Sequence, residues 1–272
     1  MNPLILSLFP IIFILVLVLV FRKSLFFSAP FTFLLTILLA LFVWKMQTAY
    51  MIASSLKGLF IAIEITLIVF GALFFLDIMK KKGIIESIEY HLSTLSADKR
   101  VQAVLLCWFF SSLIEGASGF GAPAAIVAPL LVGIGFPAIT AVAIALIANS
   151  APVVFGAVGT PINIGFSGLN IANVSFYAGL INLIVGTFVP LMIISVLVFL
   201  SSKTKKWQHI REAIPFSLAA GLCFMVPYFI ISIFSSEFPT LIGSLIGLGI
   251  MVFLIKKRFL LPEHQWAFEA KR

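Results

Sequence analysis

The chain has 272 residues, of which 62% are hydrophobic and 10% charged, and its mean hydropathy is +1.21. A soluble domain is about 45–50% apolar and about 25% charged, so water is excluded as the main solvent of this fold and lipid takes its place. The formal charge of +8 sits in short clusters between apolar runs, the pattern of membrane orientation signals and not of a nucleic-acid surface.

A hydrocarbon core about 30 Å thick takes about 20 helical residues. By that ruler the chain opens with three framework spans, Leu4–Phe21, Phe26–Val43 and Leu56–Leu76. The first has no basic residue before its apolar run and no small-residue cleavage site after it, so it reads as a span and not as a cleaved leader. Ile78–Arg100 follows, with Ile84, Ile85, Ile88 and Leu92 at helical spacing. It is expected to be an amphipathic segment lying on the membrane surface.

Val101–Val174 differs from everything around it: it holds one charged residue, Glu115, and is rich in Gly, Pro, Ser and Asn. Val101–Gly135 is 35 residues long, where two spans and a turn would need about 43. Helix breakers crowd its centre, from Glu115 to Pro123. The expected structure is a re-entrant helical hairpin that turns near mid-depth. Pro137–Asn149 reads as helix, and Asn149–Pro161 then places two prolines and two glycines between its flanking residues, which predicts a span broken in its middle. Asn163–Ser175 reads as a polar loop. Three more spans complete the chain, Ser175–Leu200, Pro215–Phe234 and Thr240–Ile255, with a short segment Trp207–Ile214 ahead of the second and a basic tail at the end. The domains expected are therefore 1–100 (framework helices and amphipathic segment), 101–174 (the transport unit) and 175–272 (three further spans and tail).

Charge tests this topology. With the N-terminus outside, the hairpin returning and the broken helix crossing once, 16 of the 18 basic residues fall inside, and only Lys45 and Lys57 remain outside. That asymmetry is what the positive-inside rule requires.

Interrupted helices expose backbone N–H groups and a positive dipole end inside the membrane, where an anion can bind without Lys or Arg. The predicted spans and hairpin contain no basic residue in their interiors. At the hairpin tip the candidate binding residues are Ser118, Gly119, Phe120 and Gly121; at the break they are Asn149, Ser150, Gly159 and Thr160. A charge at the bilayer centre costs at least about 2.5–3.5 kcal/mol, which makes Glu115, and Glu64 in the third span, candidates for proton coupling. Each also has a structural alternative, Glu115 accepting hydrogen bonds from its own turn and Glu64 bonding between helices. His91 reads as a surface residue. Cys107 and Cys223 lie in separate apolar stretches without disulfide or ligand spacing. The sequence offers no catalytic pairing, no metal-ligand spacing and no cofactor motif, so an enzyme is not expected. A channel for small anions remains a rival to a carrier.

Ser112-Leu-Ile-Glu-Gly-Ala-Ser-Gly-Phe-Gly-Ala-Pro-Ala-Ala-Ile126 and Ala148-Asn-Ser-Ala-Pro-Val-Val-Phe-Gly-Ala-Val-Gly-Thr-Pro161 resemble the signature stretches of the L-lactate permease family. The resemblance implies proton-coupled uptake of lactate, and often glycolate, across the bacterial inner membrane. It also implies an all-α polytopic fold of inverted repeats, each with a re-entrant hairpin and a broken helix. Family members are roughly twice this length, and only one such unit is visible here. The resemblance therefore implies a truncated or half-size form that works as a homo-oligomer or with a complementary C-terminal half, with an inert remnant of a split permease as the alternative.

Overall fold

The computed structural model describes residues 3–119, 121–202 and 206–267. The fold is helical throughout, with an isolated bridge between Ser167 and Leu169 as its one extended pairing among the described residues. Among the described residues six helices are long and apolar enough to cross a membrane, and one bent pair makes a seventh if it is counted as one span.

The chain divides into two compact units, Met1–Glu64 and Ile65–Arg272. In the first, α1 (Pro3–Leu15) and α2 (Leu25–Leu38) pack together, and each ends in a π-helical turn, Val16–Val20 and Leu39–Val43. Along α2 the Ser28, Thr32 and Thr36 hydroxyls each donate to the carbonyl four residues back. Such bonds hide polar groups that lipid could not satisfy. α3 (Thr48–Lys81) runs across the division. At 34 residues it exceeds the expected span at both ends, and Leu76 is its one buried residue.

In the second unit α4 (Ile84–Thr94) buries Ile85 and Leu92, while Ile84 stays exposed. Its buried side packs against the protein segment Val104–Phe110. The hairpin's first arm is α5 (Lys99–Ala103), a fully buried π-helical stretch Val104–Phe110, and α6 (Ser111–Ser118). The second arm is α7 (Ala122–Ile134). The arms are unequal: the first has 20 residues, about 30 Å and enough for a whole span, and the second has 13. The hairpin expected from total length is thus built from a long first arm and a shorter return.

α8 (Ala138–Ala148) leads to a 3-10 turn, Pro152–Phe155, and α9 (Gly156–Gly165), and the two halves meet at 55°. The expected loop 163–175 shrinks to 166–170, because α9 extends to Gly165 and α10 (Ile171–Thr187) starts early on an Asn170 cap. A short break at Phe188 separates α10 from α11 (Val189–Ser201). The segment Trp207–Ile214 is no separate element but the first turns of α12 (Lys206–Phe234). α13 (Pro239–Lys256) packs along α12 and against α6. The core runs through the hairpin's first arm, where Trp108 stacks edge-on to Phe224 at 5.1 Å, and Phe224 to Tyr228 at 5.7 Å.

The root of this arm is tied by charge. Arg100 is wholly buried and grips Asp98 with two bonds, Nε to Oδ1 at 3.0 Å and Nη2 to Oδ2 at 2.7 Å. It also donates to the carbonyls of His209 at 2.7 Å and His264 at 2.6 Å. Trp266 N–H donates to Asp98 Oδ2 at 3.0 Å. The tail after α13 is thereby fastened to the hairpin and to α12.

Candidate functional site

The hairpin tip and the break in the broken helix meet. Gly119, at φ +63°, lies so close to Ala157 that a Cβ there would reach the Ala157 backbone nitrogen at 2.8 Å. Across the contact, Ala157, Val158 and Gly159 are wound left-handed at φ 45°, 54° and 74°. L-residues adopt that conformation only at a cost, and a β-branched valine there is an outlier. A side chain at Gly159 would collide with the Ser236 carbonyl in the turn between α12 and α13. The neighbouring turn residues reinforce the clasp: Ser236 Oγ donates to Asn163 Oδ1 at 2.7 Å, and Asn163 Nδ2 to Glu237 Oε1 at 3.3 Å.

Glu115 lies at the centre of this contact. It is fully buried. The Gly121 backbone N–H and the Asn149 amide face its carboxyl. Neither closes a bond of good geometry, so both carboxyl oxygens lack a hydrogen-bond partner among the described residues. Asn149 Oδ1 is likewise unpartnered. A methyl group at Gly156 would lie 2.6 Å from Glu115 Oε1, so glycine is what lets the break close over the acid.

Glu115, Gly119, Gly121, Asn149 and, beside them, Gly159 and Thr160 are thus gathered from two separate motifs. The hydroxyls take another part than the expected one. Ser118 donates to Ile114 O at 2.8 Å, Ser150 to Ile147 O at 2.8 Å and Thr160 to Ala157 O at 2.6 Å. Each proton is engaged in stiffening its own turn. The donors facing Glu115 are instead the Gly121 N–H, at the start of α7, and the Asn149 amide. Phe120 lies outside the described residues. Glu64 is exposed on α3. Gly156, Asn163, Ser236 and Glu237 are parts of the arrangement that the sequence did not single out. Their partners are far along the chain, and no local pattern marks them.

A groove of about 830 Å³, lined by residues that include Trp207, Arg211, Glu212 and His264, lies elsewhere. Glu212 is 3.7 Å from Arg100 at the root of the hairpin's first arm, whereas Glu115 is 15 residues further along that arm, about 22 Å away along a helix axis.

Comparison with known proteins agrees with this architecture. The family model for L-lactate permease matches residues 3–272. The chain is 34% identical over 232 residues to an L-lactate permease of Escherichia coli, covering 85% of this chain and 41% of that protein. It is 32% identical over 254 residues to the Escherichia coli glycolate permease GlcA, covering 92% and 44%. It is 32% identical over 226 residues to an L-lactate permease of Bacillus subtilis, covering 82% and 39%. The chain therefore spans less than half the length of these curated relatives. No solved structure matches it. With a match over nearly its full length and the two signature stretches brought together in one site, the chain belongs to the L-lactate permease family.

Proposed function

We propose that this chain carries the substrate unit of a proton-coupled transporter for L-lactate or a related 2-hydroxy carboxylate such as glycolate, with Glu115 as the proton carrier. The observation that carries the reading is the contact of hairpin tip and left-handed break around a buried, unpartnered Glu115. The names of the permease relatives supply the substrate class.

The physical argument for coupling is one of charge. The segment 101–174 contains no Lys or Arg, so an anion bound here meets backbone dipoles and an amide but no cation. A carboxylate substrate beside an ionised Glu115 would place two negative charges in a medium of low dielectric. Protonation of Glu115 removes that repulsion, so proton and anion are favoured only together. The Gly121 N–H and the Asn149 amide are then free to bind the substrate carboxylate. Rocking of the hairpin and broken helix against the framework would open the site to each side in turn. Glu64 is assigned as a second proton carrier. The basic clusters support an orientation with the N-terminus outside and the tail in the cytoplasm of a bacterial inner membrane. The working assembly is proposed to contain a second copy or a complementary second half, since such sites lie at the interface of two repeats.

The test is uptake of labelled lactate by cells lacking their own lactate carriers, with this chain expressed alone and a proton uncoupler as control. Uncoupler-sensitive accumulation is expected of a self-sufficient oligomer. Passive, non-saturating flux would replace the carrier by a channel. Absence of uptake by chain present in the membrane, persisting after co-expression with the second half of a relative, would reject the transport reading.

A further inference from the structure

The break in the broken helix receives hydrogen bonds from side chains on other helices. Where α8 ends, the chain turns through Ala151 and Pro152, and their carbonyls leave the regular helical ladder. In a lipid-covered protein such groups need a donor. The Ala151 carbonyl receives a long turn bond from Val154 N–H at 3.4 Å and a second bond from the Tyr228 hydroxyl at 3.3 Å. The Pro152 carbonyl accepts from Thr240 Oγ1 at 2.8 Å. Asn182 Nδ2 donates to the Tyr228 oxygen at 3.1 Å, leaving the phenol's own proton for Ala151. Tyr228 and Thr240 are completely buried, and Asn182 nearly so. The Tyr228 ring also packs edge-on to Phe155 at 5.2 Å, inside the break. Two helices, α12 and α13, thus send one polar group each to a single turn, and α10 supports the first of them through Asn182.

Most hydroxyls in these helices are used locally. Thr187, Ser195, Ser217, Ser232 and Ser244 donate to carbonyls three or four residues back in their own helix, while Ser175 joins α10 to the Ser232 carbonyl of α12. Thr240 and Tyr228 reach across to another segment, and the segment is the one that carries Asn149 on one side and Gly156 on the other.

We infer that Tyr228 and Thr240 are positioning residues, which lock the Ala151–Pro152 turn so that Asn149 and Gly156 stay aligned on Glu115. The inference rests on the transport reading for what that alignment serves, but the lock itself can be measured without transport. Hydrogen–deuterium exchange of the full chain in lipid nanodiscs is compared for wild type, Tyr228→Phe, Thr240→Val, Thr240→Ala and Thr240→Ser. Loss of one buried hydrogen bond should speed exchange in peptides covering residues 149–160 by about five- to tenfold. Peptides from α10 and α13 should stay at wild-type rates, and Thr240→Ser, which keeps the hydroxyl, should stay at wild-type rates throughout. Unchanged exchange at the break, or faster exchange spread evenly over α10, α12 and α13, would overturn the assignment. The alanine variant serves if valine at 240 prevents folding. Lactate titrations of the same samples separate the two readings. Protection of the wild-type break by lactate supports the site; its absence, persisting when the second half of a relative is reconstituted alongside, sinks the transport reading while the lock stands. In variants with a loosened break, half-protection should need about tenfold more lactate, and an unchanged requirement would overturn the positioning role.

Discussion

A carboxylic acid sealed away from water with no cation beside it is stable in one of two ways: it holds a proton, or it holds a ligand that brings one. Glu115 has that setting, and the coupling proposal reduces to it. Glu115→Gln keeps the shape and removes the titration. The expected outcome is lactate uptake whose initial rate no longer varies between pH 5.5 and 8, with at least tenfold less accumulation and unchanged protein in the membrane. A wild-type pH profile in that variant would discard Glu115 as the proton carrier. Gly156→Ala puts a methyl group 2.6 Å from the Glu115 oxygen, so the break and the acid must part. Lactate-dependent thermal stabilisation in detergent should fall at least tenfold in apparent affinity, with the variant still folded. Glu115 was legible in the sequence because it is the lone charge in 74 residues. Gly156 was not, because its requirement is set by a side chain 41 positions earlier and nothing local distinguishes it from other glycines. The Ser118, Ser150 and Thr160 hydroxyls were legible as polar groups at the right places. Their direction, back into their own turns, depends on backbone geometry that composition does not carry.

The broken helix was readable as an interruption, since two prolines and two glycines cannot continue a ladder of hydrogen bonds. Its handedness was not. Three consecutive left-handed residues, two of them bearing side chains, lie between the hairpin tip and the α12–α13 turn, which approach the break closely at Gly119 and Gly159. The length of α3 and the fusion of Trp207–Ile214 into α12 were missed for a related reason: a hydropathy ruler measures the apolar stretch, while a helix continues until its backbone meets a stop signal. The turn Ser235–Phe238 carries its own prediction. The Ser235 hydroxyl donates to Glu237 Oε2 at 2.6 Å and holds this carboxyl below the usual range, with Ser236 and Asn163 assisting. A folded-state pKa below the unfolded value means that the stabilisation is fully present above the unfolded pKa, near 4.3 for an ordinary Glu, and is lost as pH falls through the folded value. Thermal unfolding followed from pH 6 to pH 3 should show the turn's contribution fade below about pH 4. Glu237→Gln should be less stable at pH 6 and match wild type more nearly at pH 3. An unchanged difference across that range would remove Glu237 from the clasp.

At the scale of the whole molecule the overall class and the meeting of the two broken segments were open to sequence reasoning, because lipid leaves few options for a backbone; the first expected span, Leu4–Phe21, is instead among the shorter apolar helices, and the hairpin's first arm is long enough to cross. The fastening of the tail to the hairpin root was not, since Arg100 reads as one more basic residue of an orientation cluster. Its burial against Asp98, with the His209 and His264 carbonyls as further acceptors, makes it a structural charge. Arg100→Met strands the buried Asp98 and should cost about 3–5 kcal/mol of stability, seen as an earlier unfolding transition in detergent. Adding Asp98→Asn should recover part of the loss, and a single variant as stable as wild type would show the pair to be dispensable.

That knot has a mechanical consequence. From Lys99 to Ser118 the first arm is a rod of 20 residues, about 30 Å long, clamped at one end and carrying Glu115 near the other. Pivoted at a fixed root, such a rod converts a tilt of about 10° into a tip displacement of about 5 Å, close to the spacing of one helical turn. The tail, through its grip on Arg100, sets where the fulcrum of that lever stands.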